Sequence, residues 1–246
     1  MNDLQRNMYA VICRHDGIKA KEIAKEIGEE RGDINRQLYL NPFVHELCYR
    51  DEEYLWHGLI RQMRPHIGLS DFCGYYGAVA RFLSQPEDEW LEELKEGCRG
   101  IGRNLNDTRG LIHSFLDARS VMIGLFQDLG GLDFDDWEIC FELRIRRARH
   151  VRIYADVLVI TEDKVFSLEF KMKDVIEEEE ELQAAKYAGY LDVIFGDPYE
   201  IIPALVLTRA EDLYIWKELP GSTAMLPVCS GDMLFNLFDE YLGFLE

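Results

Sequence analysis

No two of the six cysteines in this 246-residue sequence fall in a Cys-x-x-Cys pair; Cys13, Cys48, Cys73, Cys98, Cys140 and Cys229 are scattered. Structural zinc and iron–sulfur sites bring close pairs, and a disulfide framework needs cysteine density in a short secreted chain. Free buried thiols are therefore expected. Long apolar runs are missing too, as is the long apolar stretch of a secretory signal. Arg144 and Arg146 interrupt the apolar strand that begins near Trp137. A cytoplasmic protein without a membrane partner is expected. No Gly-x-x-x-x-Gly-Lys-[Ser/Thr] phosphate loop occurs, so any ATP-driven motor would be a separate helicase or ATPase chain. Positive charge is scarce, with 27 Lys and Arg against 46 Asp and Glu, a formal net charge of -19. That counts against a nucleic-acid partner, a polyanion normally bound through Lys and Arg. Charge is local, however. Arg144, Arg146, Arg147, Arg149 and Arg152 crowd one segment, while much of the acid lies elsewhere, including Glu177 to Glu181. Metal-binding carboxylates also count toward the total, and a bound divalent ion reverses their local effect.

The 48% hydrophobic and 30% charged residues fit a globular chain of one large or two modest domains. Residues 1–57 read as a winged helix-turn-helix. Met8 to Arg14 looks helical. Ile23, Ala24 and Ile27 recur at helical spacing before Gly28, a C-cap. Ile34 and Leu38 form the buried stripe of a third helix, and a hairpin follows around Asp51-Glu52-Glu53. The third helix is the candidate recognition element, exposing Arg31, Asn35, Arg36 and Gln37 toward phosphates and base edges. The acidic hairpin tip would repel a phosphate backbone, so a protein-binding or purely packing role stays open. Residues 58–107 read as a helical connector. Residues 108–246 read as a long helix, three strands, a helix from about Val175 to Phe195, two more strands, and a terminal amphipathic helix. The class is α/β (α+β overall), and the order from Thr108 is α-β-β-β-α-β.

Strand alternation puts Ser167, Glu169 and Lys171 on one face of the third strand and Phe166, Leu168, Phe170 and Met172 on the other. A strand this apolar is expected at the sheet centre, where lone charges are costly to desolvate. Across the hairpin at residues 161 to 164, Asp156 approaches Glu169. Two close carboxylates repel unless a cation lies between them.

"ADVLVI" followed by "FSLEFK" resembles the Asp, then Glu-x-Lys, pattern of the PD-(D/E)xK nuclease superfamily, whose core is an αβββαβ restriction-endonuclease-like unit. The leading Pro is absent, since Tyr154-Ala155 precedes Asp156. Gln183 and Tyr187 in "QAAKYAGY" are similar to the Gln-x-x-x-Tyr motif of the RecB-like branch. The resemblance covers about residues 108 to 210. It implies phosphodiester hydrolysis with Mg²⁺, for which Mn²⁺ substitutes, held by Asp156, Glu169 and the Phe170 carbonyl. Lys171 would orient water or stabilise charge, and Gln183 and Tyr187 would support it or contact the substrate backbone. The first helix of the family usually adds a ligand. Here His113 and Asp117 are candidates, although Gly110-x-x-His113 is one residue shorter than the RecB-like Gly-x-x-x-His; Glu138 or Glu142 on the first strand are alternatives. The four-cysteine iron–sulfur spacing of that branch is missing. DNA is the expected substrate, with RNA and a homo-oligomer left open, and Arg144, Arg146, Arg147, Arg149, Arg31 and Arg36 are its candidate contacts. A non-catalytic DNA-binding regulator and an interaction subunit of a larger nucleic-acid complex remain the competing readings.

Overall fold

The computed structural model describes residues 3–15, 17–41, 48–58, 69–105, 108–130, 134, 136–147, 152–196, 199–219 and 225–244. The chain is a mixed α+β structure built on a seven-stranded sheet of order β3-β4-β5-β6-β7-β9-β8, with a separate two-stranded sheet near the N-terminus.

The N-terminal unit has three helices, α1 (Asp3–Arg14), α2 (Ala20–Ile27) and α3 (Arg31–Leu40), and the hairpin β1 (Cys48–Arg50) and β2 (Trp56–Gly58). Gly28, at φ 81°, closes α2 in the left-handed region, and Ile34 and Leu38 are fully buried. Trp56 forms a bridge to Ile18, tying the hairpin back to the loop before α2. The order of helices and hairpin is the one read from the sequence.

The connector is more than helical. It holds β3 (Tyr75–Ala78), α4 (Val79–Ser84) and α5 (Glu87–Gly100), and β3 joins the main sheet as an edge strand antiparallel to β4. Four residues interrupted by Gly77 leave no alternation long enough to announce a strand.

The remaining order is α6 (Thr108–Asp128), β4 (Glu138–Arg147), β5 (Arg152–Ile160), β6 (Lys164–Lys171), α7 (Glu178–Phe195), β7 (Glu200–Leu207), β8 (Tyr214–Glu218), β9 (Met225–Ser230) and α8 (Leu234–Leu242). The α-β-β-β-α-β run from Thr108 is therefore present. Strands β4, β5 and β6 form an antiparallel meander; β7 returns parallel to β6 through α7, and β9 lies parallel to β7. The sequence pattern does not announce β9, which contains Pro227. That proline lies just outside the stretch paired with β7, so its missing N–H breaks no bond on that side.

Apolar strands with two covered faces read as near-continuous hydrophobic runs. One face of the sheet packs Phe141, Phe166, Leu168 and Phe170 against α5, α6 and α8. Phe238 of α8 stacks on Phe166 with centroids 4.0 Å apart, so the terminal helix is core. The opposite face packs Cys140, Leu143 and Leu158 with Tyr190, Leu191 and Ile194 of α7, in one cluster with the N-terminal helices. Cys48, Cys73, Cys98, Cys140 and Cys229 are free and buried, as expected; the Cys13 side chain lies outside the described residues. Among the described residues no helix is long and apolar enough to cross a membrane.

Candidate functional site

β6 is the fourth of seven strands, the central position its apolar composition implies. Its alternation falls as expected: Phe166, Leu168 and Phe170 join the α6 side, while Ser167 and Glu169 are buried on the α7 side. Met172 departs from the expectation. It lies in the bend after the strand and is exposed rather than packed.

The β5–β6 register pairs Val157 with Leu168 and Leu158 with Ser167, which makes Asp156 and Glu169 the next rung. Asp156 Oδ2 accepts a 2.9 Å hydrogen bond from the Phe170 N–H, and the Asp156 N–H points at Glu169 Oε1 across 3.5 Å. Lys171 Nζ stands 3.7 Å from Glu169 Oε2. Asp156, Glu169 and Lys171 thus form one cluster, with the Phe170 peptide at its border.

β4 adds a third carboxylate. Glu142 adopts φ 56°, a left-handed conformation that costs an L-residue about 1–2 kcal/mol. At this rung Phe141 and its β5 partner Val157 pack with the α6 side, whereas Leu143 and its partner Ala155 pack with the α7 side. Backbone strain of this kind collects at functional sites. Glu142 is only 3% exposed, and burial with the Asp156 charge pushes its carboxyl up to about 8. Burial and Asp156 likewise hold Glu169 well above the ordinary glutamate range, and burial raises Asp156 itself. Asp156 raises both glutamates and Glu142 raises Glu169, and acids perturbed by burial and by one another's charge collect at functional sites.

α7 covers this cluster. Gln183 Nε2 donates to the Tyr187 hydroxyl at 2.7 Å, one helical turn away. Burial and the Glu169 charge raise the Tyr187 phenol to about 12, so it stays protonated. The acidic run is not remote, as its position in the chain suggested. Glu178 to Glu181 form the first turn of α7, the helix that carries Gln183 and Tyr187, and Lys173 bridges Glu177 and Glu180. Acid at a helix N-terminus suits the macrodipole, but it places negative charge beside the site.

One site residue escaped the sequence reading. Arg103 brings its Nε within 2.8 Å of Glu142 Oε2 and stacks its guanidinium over the Tyr154 ring at 4.4 Å. The available signal was Gly100-Ile101-Gly102 just before it, a helix stop.

Other expected residues lie apart. His113 is exposed on α6, the helix that packs the opposite face of the sheet, and Asp117 on the same helix pairs with Arg209 at 2.7 Å. The third acid of the cluster is thus Glu142, and His113 is not part of it. Glu138 accepts from the Tyr76 hydroxyl. Arg144 is not a free phosphate contact: its guanidinium donates to the Ile101 carbonyl at 2.9 Å and lies over Phe72. The Arg146, Arg147 and Arg152 side chains, and all of Arg149, lie outside the described residues. Arg31 and Arg36 are exposed on α3, but Gln37 is engaged internally, accepting from Gln5 and Asn41.

Two buried oxygens, Glu142 Oε2 and Glu169 Oε2, have no well-aligned hydrogen bond. A carboxylate donor set of this kind fits a hard divalent cation such as Mg²⁺. Among the described residues, however, no three His, Cys, Asp or Glu side chains are disposed as a ready-made metal cage. Asp156 is engaged by the Phe170 N–H, and Glu142 by Arg103.

No family model matches the chain, and no curated protein does. Among solved structures it is similar to the crystal structure of protein VC1899 from Vibrio cholerae, at 14% identity and a TM-score of 0.27, over 96% of this chain and 48% of that one. The chain spans about half the length of that protein.

Proposed function

We propose that the chain is a metal-dependent nuclease of PD-(D/E)xK type, hydrolysing phosphodiester bonds of DNA at the cluster on β4, β5, β6 and α7. The observation that carries this reading is the convergence of Asp156, Glu169 and Lys171 on adjoining strands at the sheet centre, under the helix bearing Gln183 and Tyr187. Strand order, motif spacing and the buried acids all agree with it.

Asp156, Glu169, Glu142 and the Phe170 carbonyl would hold Mg²⁺ or Mn²⁺. Such an ion polarises the scissile phosphate and acidifies the attacking water. Lys171, held beside Glu169, orients that water and offsets charge on the transition state. Tyr187, protonated throughout the ordinary pH range, presents its hydroxyl from above while Gln183 fixes its direction. The α6 side of the sheet, packed with Phe166, Leu168 and Phe170, keeps water from the back of the strand.

A non-catalytic DNA-binding regulator is the second reading. The absence of a ready-made cage among the described residues and the exposed Arg31 and Arg36 of α3 favour it. One assay separates the two. Linear, circular and single-stranded DNA, and RNA, are incubated with Mg²⁺, Mn²⁺ or EDTA, using wild type, Asp156→Ala and Lys171→Ala. Metal-dependent cleavage lost in both variants, with unchanged circular dichroism, supports the nuclease. Cleavage equal to wild type in both variants removes it, and a mobility shift in EDTA without any cleavage supports the regulator.

A further inference from the structure

Arg103 is placed by a defined local device. α5 ends in a Schellman arrangement: Gly102 takes φ 74° and bonds the Arg99 carbonyl, while the Arg103 N–H bonds the Cys98 carbonyl at 2.8 Å. Gly97 and Gly74 allow α5 to approach the sheet closely, since a Cβ on Gly97 would lie 2.0 Å from the Gly74 carbonyl oxygen. The chain leaving α5 is thereby aimed at the acid cluster, and Arg103 reaches Glu142.

This contact is close but not locked. Neither Arg103 Nε nor Glu142 Oε2 makes a well-aligned hydrogen bond, although they stand 2.8 Å apart. The guanidinium face is fixed by the Tyr154 ring, and the terminal Nη groups make no hydrogen bond to any described residue. Glu142 is 4% exposed in its side chain, whereas Arg103 is 28% exposed, so the guanidinium sits on the solvent side of the acid. A planar fork, partly exposed beside carboxylates and with donors that no described residue uses, matches the oxygens of a phosphate group. The charge count agrees. Three carboxylates against Lys171 and Arg103 leave one negative charge when all are ionised; a divalent ion would turn that into one positive charge, the complement of a single phosphodiester.

We propose that Arg103 is the phosphate-binding cation of this site, its Nη groups taking a non-bridging oxygen of the nucleic-acid backbone. This rests on the nuclease reading for its location, but it is a statement about binding. The test is binding of short fluorescein-labelled single- and double-stranded DNA in Ca²⁺ buffer, read by anisotropy over a range of salt, beside Mg²⁺-dependent cleavage. Arg103→Gln is compared with wild type, Arg103→Lys and the double variant Arg103→Gln/Glu142→Gln. The double variant leaves no Glu142 carboxylate without its cation, so a folding defect in Arg103→Gln does not obscure the result, and each protein is also measured in EDTA because Glu142 is itself a proposed metal ligand. Arg103→Gln and the double variant are expected to bind roughly ten-fold or more weakly, with a salt slope smaller by about one, and Arg103→Lys to recover the slope but not the full affinity. A slope unchanged in both variants overturns the assignment while leaving the nuclease standing if wild type cleaves. A reduced slope without cleavage by wild type upholds Arg103 and removes the nuclease. Absence of wild-type binding overturns both.

Discussion

Asp156 and Glu169 approach each other through backbone rather than through a bridging side chain: the N–H of one points at the carboxylate of the other across 3.5 Å. Their two carboxyls are consequently held near each other by the β-ladder itself, whatever their protonation. The neighbouring Lys171 ammonium lowers the cost of ionising them but stands 3.7 Å away and does not remove it.

Stability of the metal-free protein should therefore fall as pH rises. Burial and the Asp156 charge push the Glu142 carboxyl up to about 8 from an ordinary 4.5, so between those values the folded protein holds a proton that the unfolded chain has lost. More protons bound when folded means stability that is fully present below about 4.5 and lost as pH climbs through 8. Glu169 is shifted in the same direction by the same burial. Melting temperatures measured in EDTA across this range should decline, and Glu142→Gln should flatten the decline. A metal-free melting temperature that instead increases with pH would contradict the picture of protonated buried acids.

Mg²⁺ should reverse that trend. An ion that binds only the folded protein stabilises it by mass action, and it must displace the protons held by the acids. Calorimetric titration at pH 7 in buffers of different ionisation enthalpy should show proton release on binding, diminished in Glu142→Gln. Heat independent of the buffer would mean that no acid of this cluster receives the metal.

Tyr187→Phe should keep the fold and reduce turnover. The hydroxyl accepts from Gln183 at 2.7 Å and lies within the field of Glu169. Deleting one hydrogen-bonding group next to a charge costs about 1.5–3 kcal/mol, or roughly ten- to a hundred-fold in rate if the contact is made in the transition state. Gln183→Leu should give a smaller loss, because it only directs the tyrosine. Equal kcat in wild type and Tyr187→Phe would show that α7 is cover and not machinery.

Much of this arrangement was legible from strand phase. "KVFSLEFK" alternates cleanly, so the side on which Glu169 lies followed from spacing alone, and the polar turn at residues 161 to 164 fixed its partner as Asp156. The rest depended on long-range contacts. Glu142 is one of two β4 glutamates the sequence offers as alternatives to His113, and the positive φ that sets it apart from Glu138 is invisible in composition. Arg103 is distant in sequence from every strand of the cluster and arrives by a helix ending. His113 looked attractive because of its glycine spacing, but the helix that carries it covers the other face.

The acidic start of α7 should tune substrate binding through salt. Glu178 and Glu179 are exposed on the helix that caps the site. Replacing both with Gln should raise kcat/KM on DNA several-fold at low ionic strength, with the advantage disappearing as salt shortens the Debye length to about 10 Å or less. An advantage that persisted undiminished at high salt would point to a local packing change and not to electrostatic repulsion of phosphate.

The two helix-end glycines of α5 offer a control pair for the route by which the connector reaches the acids. A methyl on Gly97 would collide with the Gly74 carbonyl, whereas a methyl on Gly100 meets nothing within 4 Å. Gly97→Ala must therefore push α5 away from β3, carrying the Gly102 turn and Arg103 with it; overpacking of this kind costs roughly 1–3 kcal/mol. Gly100→Ala should be neutral or mildly stabilising, since alanine is the better helix former. If the connector serves the site through Arg103, Gly97→Ala will lose DNA affinity beyond what its lowered melting temperature explains, measured well below that temperature, and will match the salt slope of Arg103→Gln. Should Gly97→Ala melt lower yet keep the wild-type slope, the contact between Arg103 and Glu142 survives without the close approach of α5, and the placement argued from the two glycines is wrong.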